Sequence, residues 1–234
     1  KTTGGIYVTV ESGPESPAWF NDLKIQNNRI GHPNNLQDTD GVVGGLGIAT
    51  RSSHGAFSLG DKRKPFKNVL ISNNIVGPTG RNNIIIRVSD DAVVQHNRLI
   101  QSSIYEKGHS VFCFNTRNVQ IQYNEAYGNV GPASESDHGG FDADYNCYDT
   151  KIQYNYSHDN NWGFGIMKRA VNENVVIRYN ISENDKVAIY FYGFDNETGL
   201  TDAHIYNNTH YVAEDLNVRV FRDRTALNSR FINN

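Results

Sequence analysis

Eight segments of this chain share one frame, an Asn or Asp, five residues, then Asn. They are Asp22–Asn28, Asn68–Asn74, Asp91–Asn97, Asn118–Asn124, Asp149–Asn155, Asn174–Asn180, Asp202–Asn208 and Asn228–Asn234. The closing asparagines are 46, 23, 27, 31, 25, 28 and 26 residues apart, and the first interval reads as two coils of 23. A period of this size means one supersecondary unit repeated and stacked. Within the copies apolar residues stand two apart, Val69 with Ile71, Val119 with Ile121 and Val175 with Ile177, which is strand periodicity with one face inward. Each strand closes on an Asn, a residue that tolerates the left-handed region and bonds its own backbone in turns. Stacked in register, such asparagines can also bond one another from coil to coil. The repeat is too short for a βαβ unit, and a propeller blade needs about 40–50 residues. The frame therefore predicts an all-β chain folded as a parallel β-helix of about nine coils. It is read as a single domain over residues 1–234, with inserted loops near 31–45 and 128–140.

Composition agrees: 30 of the 234 residues are Asn, 21 are Gly and one is Met, so apolar content comes from β-branched and aromatic side chains. A net charge of −3 argues against a global basic field, and hence against a nucleic-acid partner. No apolar run is long enough to span a bilayer, so no membrane partner is expected. Cys113 and Cys147 read as two buried small hydrophobes rather than a disulfide, and without paired His they do not build a zinc site. The chain has no initiating Met and no signal peptide, and its last repeat stops uncapped. The expectation is one part of a longer protein, whose further domains would be its partners.

About 13 residues before each closing Asn lies a second strand. These strands are Asn83–Val88, Ser110–Asn115, Gly140–Tyr145, Gly163–Lys168, Val187–Tyr192 and Asn217–Arg222. Alternation directs Ile84, Ile86, Val88, Val187, Ile189, Phe191, Val218 and Val220 inward. The outward set is then Ile85 with Arg87, Phe112 with Phe114, Asp142 with Asp144, Tyr190 with Tyr192 and Arg219 with Phe221. Stacked at about 4.8 Å per coil, these form one stripe with acids in the middle, aromatics on both sides and arginines toward the ends. Aromatic rings that stack on pyranose faces, beside acids and arginines that bond hydroxyls, suit a glycan partner.

The densest chemistry is Glu135-Ser-Asp137-His138-Gly-Gly-Phe-Asp142-Ala-Asp144-Tyr145, which lies within the 31-residue interval closing at Asn155. Asp142 and Asp144 share a strand face about 6–7 Å apart at Cα, so their pKa values must diverge. One neutral and one ionised carboxyl is what glycoside hydrolysis requires, and Asp137 on the inserted loop is an alternative second carboxylate. A carboxyl separation of about 5–5.5 Å goes with retention and about 6.5–9.5 Å with inversion. Lys168 and Arg169, one coil on, would lie beneath the acids. There they suit a lyase or uronate epimerase in which a base takes the C5 proton and cations neutralise the uronate, with Tyr145 or His138 sharing that work. Turn chemistry explains His158, and His54 and His109 carry no comparable context.

The repeats NVQIQYNEAYGN, DTKIQYNYSHDN and NVVIRYNISEND resemble coils of right-handed parallel β-helix proteins of the pectate-lyase-like superfamily. GGFDADYNCYDTKIQYNYSHDNNWGFGI is also similar to carbohydrate-active β-helix proteins of polysaccharide-degrading bacteria, among them glycoside hydrolases of the lacto-N-biosidase type. That resemblance implies acid, base or nucleophile roles for Asp137, Asp142 and Asp144, and an extracellular or periplasmic place. Mannuronan epimerases show a similar Gly-Phe-Asp followed by a His-Asp-Asn turn, but Asp144 stands where they carry His. The pectate-lyase arginine motif is not recognisable.

Three functions follow as expectations. The first is a glycoside hydrolase using Asp137, Asp142 and Asp144, with Arg87, Phe112, Phe114, His138, Tyr145, Lys168, Arg169, Tyr190, Tyr192 and Arg219 binding the glycan. The second is a uronate lyase or epimerase using Lys168, Arg169 and Tyr145. The third is a non-catalytic carbohydrate-binding solenoid. No cofactor is required by the first, and a Ca2+ ion held by the acids belongs to the second.

Overall fold

A computed structural model describes residues 5–10, 20–31, 46–52, 64–132, 137–166, 172–192, 200–222 and 229–234. All regular structure among them is β-strand. The strands form three sheets, one of eight strands from Ile6–Val10 to Arg219–Arg222, one of twelve and one of seven. Successive coils pair in parallel and in register, as in Val93–Gln95 against Gln120–Gln122. This is the parallel solenoid that the asparagine frame predicts.

The closing asparagines form one continuous column. Each Oδ1 accepts the backbone N–H and the side-chain N–H of the Asn one coil earlier, as Asn124 does from Asn97 at 3.0 and 2.9 Å. The other side-chain N–H is spent on a carbonyl, that of Val94 for Asn124 at 2.9 Å. The column runs unbroken from Asn28 to Asn234. Asn is suited because one amide both donates and accepts, so a buried turn keeps its polar atoms satisfied.

The column corrects two sequence expectations. Asn28 bonds directly to Asn74, and Lys24–Gln26 pairs with Leu70–Ser72. The 46-residue interval is therefore one enlarged coil, and the eight-stranded sheet counts eight coils among the described residues rather than nine. The expected loop at 31–45 lies outside the described residues beyond Gly31. The left-handed conformation also falls elsewhere than on the closing Asn. It belongs to the first residue of each frame, such as Asp91 and Asn118, and to the residue before the closing Asn.

That second position holds His96, Tyr123, Tyr154 and Tyr179, with φ of 55, 55, 56 and 54°. A left-handed backbone costs such side chains about 1–2 kcal/mol each. Their rings stack from coil to coil at centroid distances of 5.1, 5.1 and 5.3 Å, and aromatic pairs return about 0.5–1.5 kcal/mol apiece. The two terms are of similar size, so the stack offsets much of the backbone cost.

Inside, apolar columns fill the solenoid. Ile25, Ile71, Val94, Ile121, Ile152, Ile177 and Ile205 line one wall, each 5% exposed or less. Burying each such side chain is worth about 1.5–3 kcal/mol. A second, shorter polar column, unread in the sequence, lies between the seven-stranded and eight-stranded sheets. The N–H groups of Ser102, Asn129 and Asn160 donate in turn to Asn129, Asn160 and Asp185. Asn129 also donates to the Gly139 carbonyl at 2.9 Å, which fixes where the strand Gly139–Ala143 begins. Cys113 and Cys147 are free, buried thiols with their Sγ atoms 3.5 Å apart.

Candidate active site

On the outer face of the eight-stranded sheet one column runs Ile85, Phe112, Asp142, Gly165, Phe191. Its inner counterpart is Ile84, Val111, Phe141, Phe164, Tyr190. Asp142 is thus placed outward by ordinary alternation between the core residues Phe141 and Ala143.

Alternation breaks one step earlier, where the consecutive residues Ile189 and Tyr190 both pack into the main core. At the matching places stand Gly140 and Gly163, where an added Cβ would meet the interior Ser157 Oγ at 2.9 and 3.4 Å. This one-residue slip corrects the reading of the seventh coil. Tyr190 and Tyr192 are 1% and 5% exposed and face the core, so they do not line a glycan surface. Phe191 takes the outward place, with Trp162 and Ala188. Phe221 likewise follows Tyr190, stacking on it at 5.3 Å, and Val220 is 47% exposed rather than inward.

Beneath the acids lies Trp162. It stacks on Phe191 at 5.3 Å and 16°, and leans on His109 at 5.0 Å. Its ring occupies space that only glycine leaves open: a Cβ on Gly139 would come within 2.3 Å of it, and one on Gly165 within 2.7 Å. The Gly165 Cβ would also lie 2.8 Å from Oδ1 of Asp142, so the two glycines, the indole and the carboxyl form one close-packed layer.

Asp142 is fully buried, and neither of its carboxyl oxygens makes a hydrogen bond. Burial first, then the charges of Asp144, Cys113 and Asp137, push its pKa well above the ordinary carboxylate range. That shift favours its protonated form. His109 Nε2 lies 3.5 Å from its Oδ2 and 3.7 Å from Oδ1 of Asp137. Burial lowers the His109 pKa to about 4 despite the opposing pull of Asp137, with His138 and Arg81 adding to the lowering. At neutral pH the imidazole is uncharged.

Asp137 and Asp144 flank this layer and are both partly exposed. The Asp144 backbone is held from both sides, its N–H on the Cys113 carbonyl at 3.0 Å and its carbonyl on Asn172 Nδ2 at 2.5 Å. Phe112 and Phe114 lie on the preceding coil, with Arg87 over the Phe114 ring at 4.6 Å and Tyr145 against its edge at 5.9 Å. His138 is buried, its N–H on the Gly108 carbonyl at 2.8 Å and its ring where a Gly131 side chain would be.

The structure thus brings together Asp137, Asp142, Asp144, Phe112, Phe114, Arg87, Tyr145 and His138. It does not bring in Arg219, which aligns with Ala188, Trp162, Gly139 and His109. That places it three coils from Asp142, roughly 14 Å at one strand spacing per coil. Lys168 and Arg169 lie outside the described residues. His109, Trp162 and Arg81 were not read as site residues in the sequence. The signal for two of them was available: counted across coils, His109, Gly139 and Trp162 fall in one register. Among the described residues no group of three or more His, Cys, Asp or Glu side chains is arranged to hold a metal ion.

No protein-family profile matches the chain. The chain is 32% identical over 182 residues to the lacto-N-biosidase of Bifidobacterium longum subsp. longum, an alignment covering 71% of this chain and 11% of that protein. It therefore spans about a tenth of that relative's length. Among solved structures it is similar to the native GH136 lacto-N-biosidase from Eubacterium ramulus, with TM-score 0.60 and 21% identity over 80% of this chain and 33% of the other. An alginate lyase from Paenibacillus sp. gives TM-score 0.55 and 12% identity, covering 100% of this chain and 78% of that one. At these identities the structural likeness concerns the fold. The chain is a parallel β-helix similar in sequence to part of a carbohydrate-active enzyme.

Proposed function

We propose that this solenoid carries the active site of a glycoside hydrolase that cleaves an oligo- or polysaccharide at the Asp137–Asp144 end of its outer face. The observation that carries the reading is the division of labour among three carboxyls. Asp142 is fully buried with its pKa pushed up, which favours the protonated form, whereas Asp137 and Asp144 are partly exposed. Glycoside hydrolysis needs two carboxyl groups flanking the scissile bond, one protonating the leaving oxygen and one acting as base or nucleophile. Asp137 and Asp144 take those catalytic roles. Asp142 lies beneath as a neutral group that adds no third negative charge. Phe112 and Arg87 on the preceding coil supply a ring and a cation for sugar faces and hydroxyls. The sequence likeness to a lacto-N-biosidase makes a glycan ending in lacto-N-biose the first substrate to try.

The test is a product screen with the full chain on lacto-N-biose glycosides, other β-linked oligosaccharides and uronate polymers. Hydrolysis predicts a new reducing end without an unsaturated sugar. Asp137→Asn and Asp144→Asn should each lower kcat by about 100-fold or more, the scale of a lost general acid or base. An unsaturated product would move the protein to the lyases. Full activity in both variants would remove these carboxyls from the chemistry.

A further inference from the structure

Resting on the reading of Asp137 as a catalytic carboxylate, we propose that His109 is a positioning residue of this site, its imidazole wedged between Asp137 and the buried Asp142 so that the two carboxyls keep their spacing. Among the described residues it is the basic side chain within 4.0 Å of Asp142, at 3.5 Å, and the same nitrogen lies 3.7 Å from Asp137. The ring is fixed from every direction. The His109 backbone N–H donates to Asn82 Oδ1 at 2.6 Å, the ring leans on Trp162 at 5.0 Å, and Phe112 lies on another side at 6.1 Å. Nδ1 makes no hydrogen bond, and Nε2 is the ring nitrogen close to both carboxyls.

The groups facing His109 are Asp137 and Asp142 from the following coil, His138 beside them, and Arg81 from the preceding one. A charged imidazole would draw both carboxyls in and ionise Asp142. A neutral one, the state its burial favours, stands between them without that pull and carries a single ring N–H. Among the described residues the Asp142 carboxyl oxygens have no hydrogen-bond partner to orient them. Spacing of reacting groups matters steeply: a displacement of about 1 Å at a catalytic group costs on the order of 100-fold in rate.

The experiment compares wild type with His109→Phe, which keeps the ring and removes the nitrogens, and His109→Gln, which returns an N–H near the Nε2 position. The first readout is the infrared carbonyl band of the protonated Asp142 carboxyl, identified by its loss in Asp142→Asn. His109→Phe should shift that band, and His109→Gln should bring it back toward wild type. The second readout is turnover of the glycan the wild type hydrolyses. His109→Phe should lower kcat by about 100-fold with little change in KM, because spacing is felt in the transition state. His109→Gln should recover part of that loss. A band unmoved in His109→Phe, or a kcat equal to wild type, overturns the proposal. If no glycan is turned over, the catalytic reading falls, and the band still decides whether His109 positions Asp142.

Discussion

Asp185 stands on the interior polar column where Asn160 stands one coil earlier, and its Oδ1 accepts the Asn160 N–H at 3.1 Å. An acid thus replaces an amide at a buried place. Burial raises its pKa to about 6 against the hydrogen bonds of Ser182, Ser157 and Asn160. The folded value lies above the unfolded 3.8, so the protonated form contributes stability that is complete below pH 3.8 and lost as pH rises through about 6. The size is on the order of 2–3 kcal/mol. Asp185→Asn restores the amide and should make the protein more stable than wild type at neutral pH. Urea midpoints measured on both sides of pH 6 check this: the two proteins should diverge as pH rises.

Asp142 has the same sign, burial again being the first cause, with neighbouring acids adding to it rather than hydrogen bonds opposing it. Its proton stabilises the fold at low pH, and that stability is lost as pH rises through the raised value. Asp142→Asn keeps the shape of the neutral acid. It should therefore fold, and gain on wild type by up to about 1.4 kcal/mol per pH unit between the unfolded pKa of 3.8 and the raised folded value, the gap then staying constant. A series of urea midpoints at increasing pH measures the difference; parallel curves would mean that Asp142 is ionised throughout.

The layer around Trp162 makes a steric prediction. Gly165→Ala puts a methyl group 2.7 Å from the indole and 2.8 Å from the Asp142 carboxyl. Overpacking of this kind costs about 1–3 kcal/mol. The variant should change the Trp162 fluorescence, and combining it with Trp162→Leu should return part of the lost stability. A Gly165→Ala protein as stable as wild type would show that the layer yields freely.

Along the asparagine column, position sets the cost. Asn124→Ala leaves the Asn97 backbone N–H and one Asn97 side-chain N–H without their partner inside the solenoid, at about 1–3 kcal/mol per group. Asn28 is half-buried, and its side chain donates forward to Asn74 and to the Gln26 carbonyl of its own coil. Asn28→Ala should cost about 1 kcal/mol. Chemical denaturation of the two variants should show the first losing several times more stability than the second.

The thiols offer a simple check of the packing. Cys113 and Cys147 are both fully buried, and burial raises the Cys147 pKa well above the ordinary thiol range. Native protein should therefore leave a thiol reagent unreacted, while unfolded protein releases two equivalents.

The fold was legible because its main device is written in one residue type at one spacing. Asn97 and Asn124 stand 27 residues apart and bond each other, so the sequence interval and the physical stack are the same thing. Asp142 and Asp144 could be placed on the outer face for the same reason. Tyr190 and Tyr192 could not, because the break in alternation that turns both Ile189 and Tyr190 inward is marked only by glycines at the matching places of other coils, Gly140 and Gly163. His109 has no local context at all. Its partners Asp137 and Asp142 meet it only through pairing between coils, which a reading along one strand does not see.

The 46 residues between Asn28 and Asn74 close one turn, as the 23 between Asn74 and Asn97 close the next. A turn of this solenoid can thus double its length and leave the alignment of its neighbours untouched, since alignment is carried by side chains that touch rather than by chain that connects. Corners of the coil are accordingly where this architecture can accept new sequence. A substrate-gripping segment could be grafted there without moving a single carboxyl on the flat face.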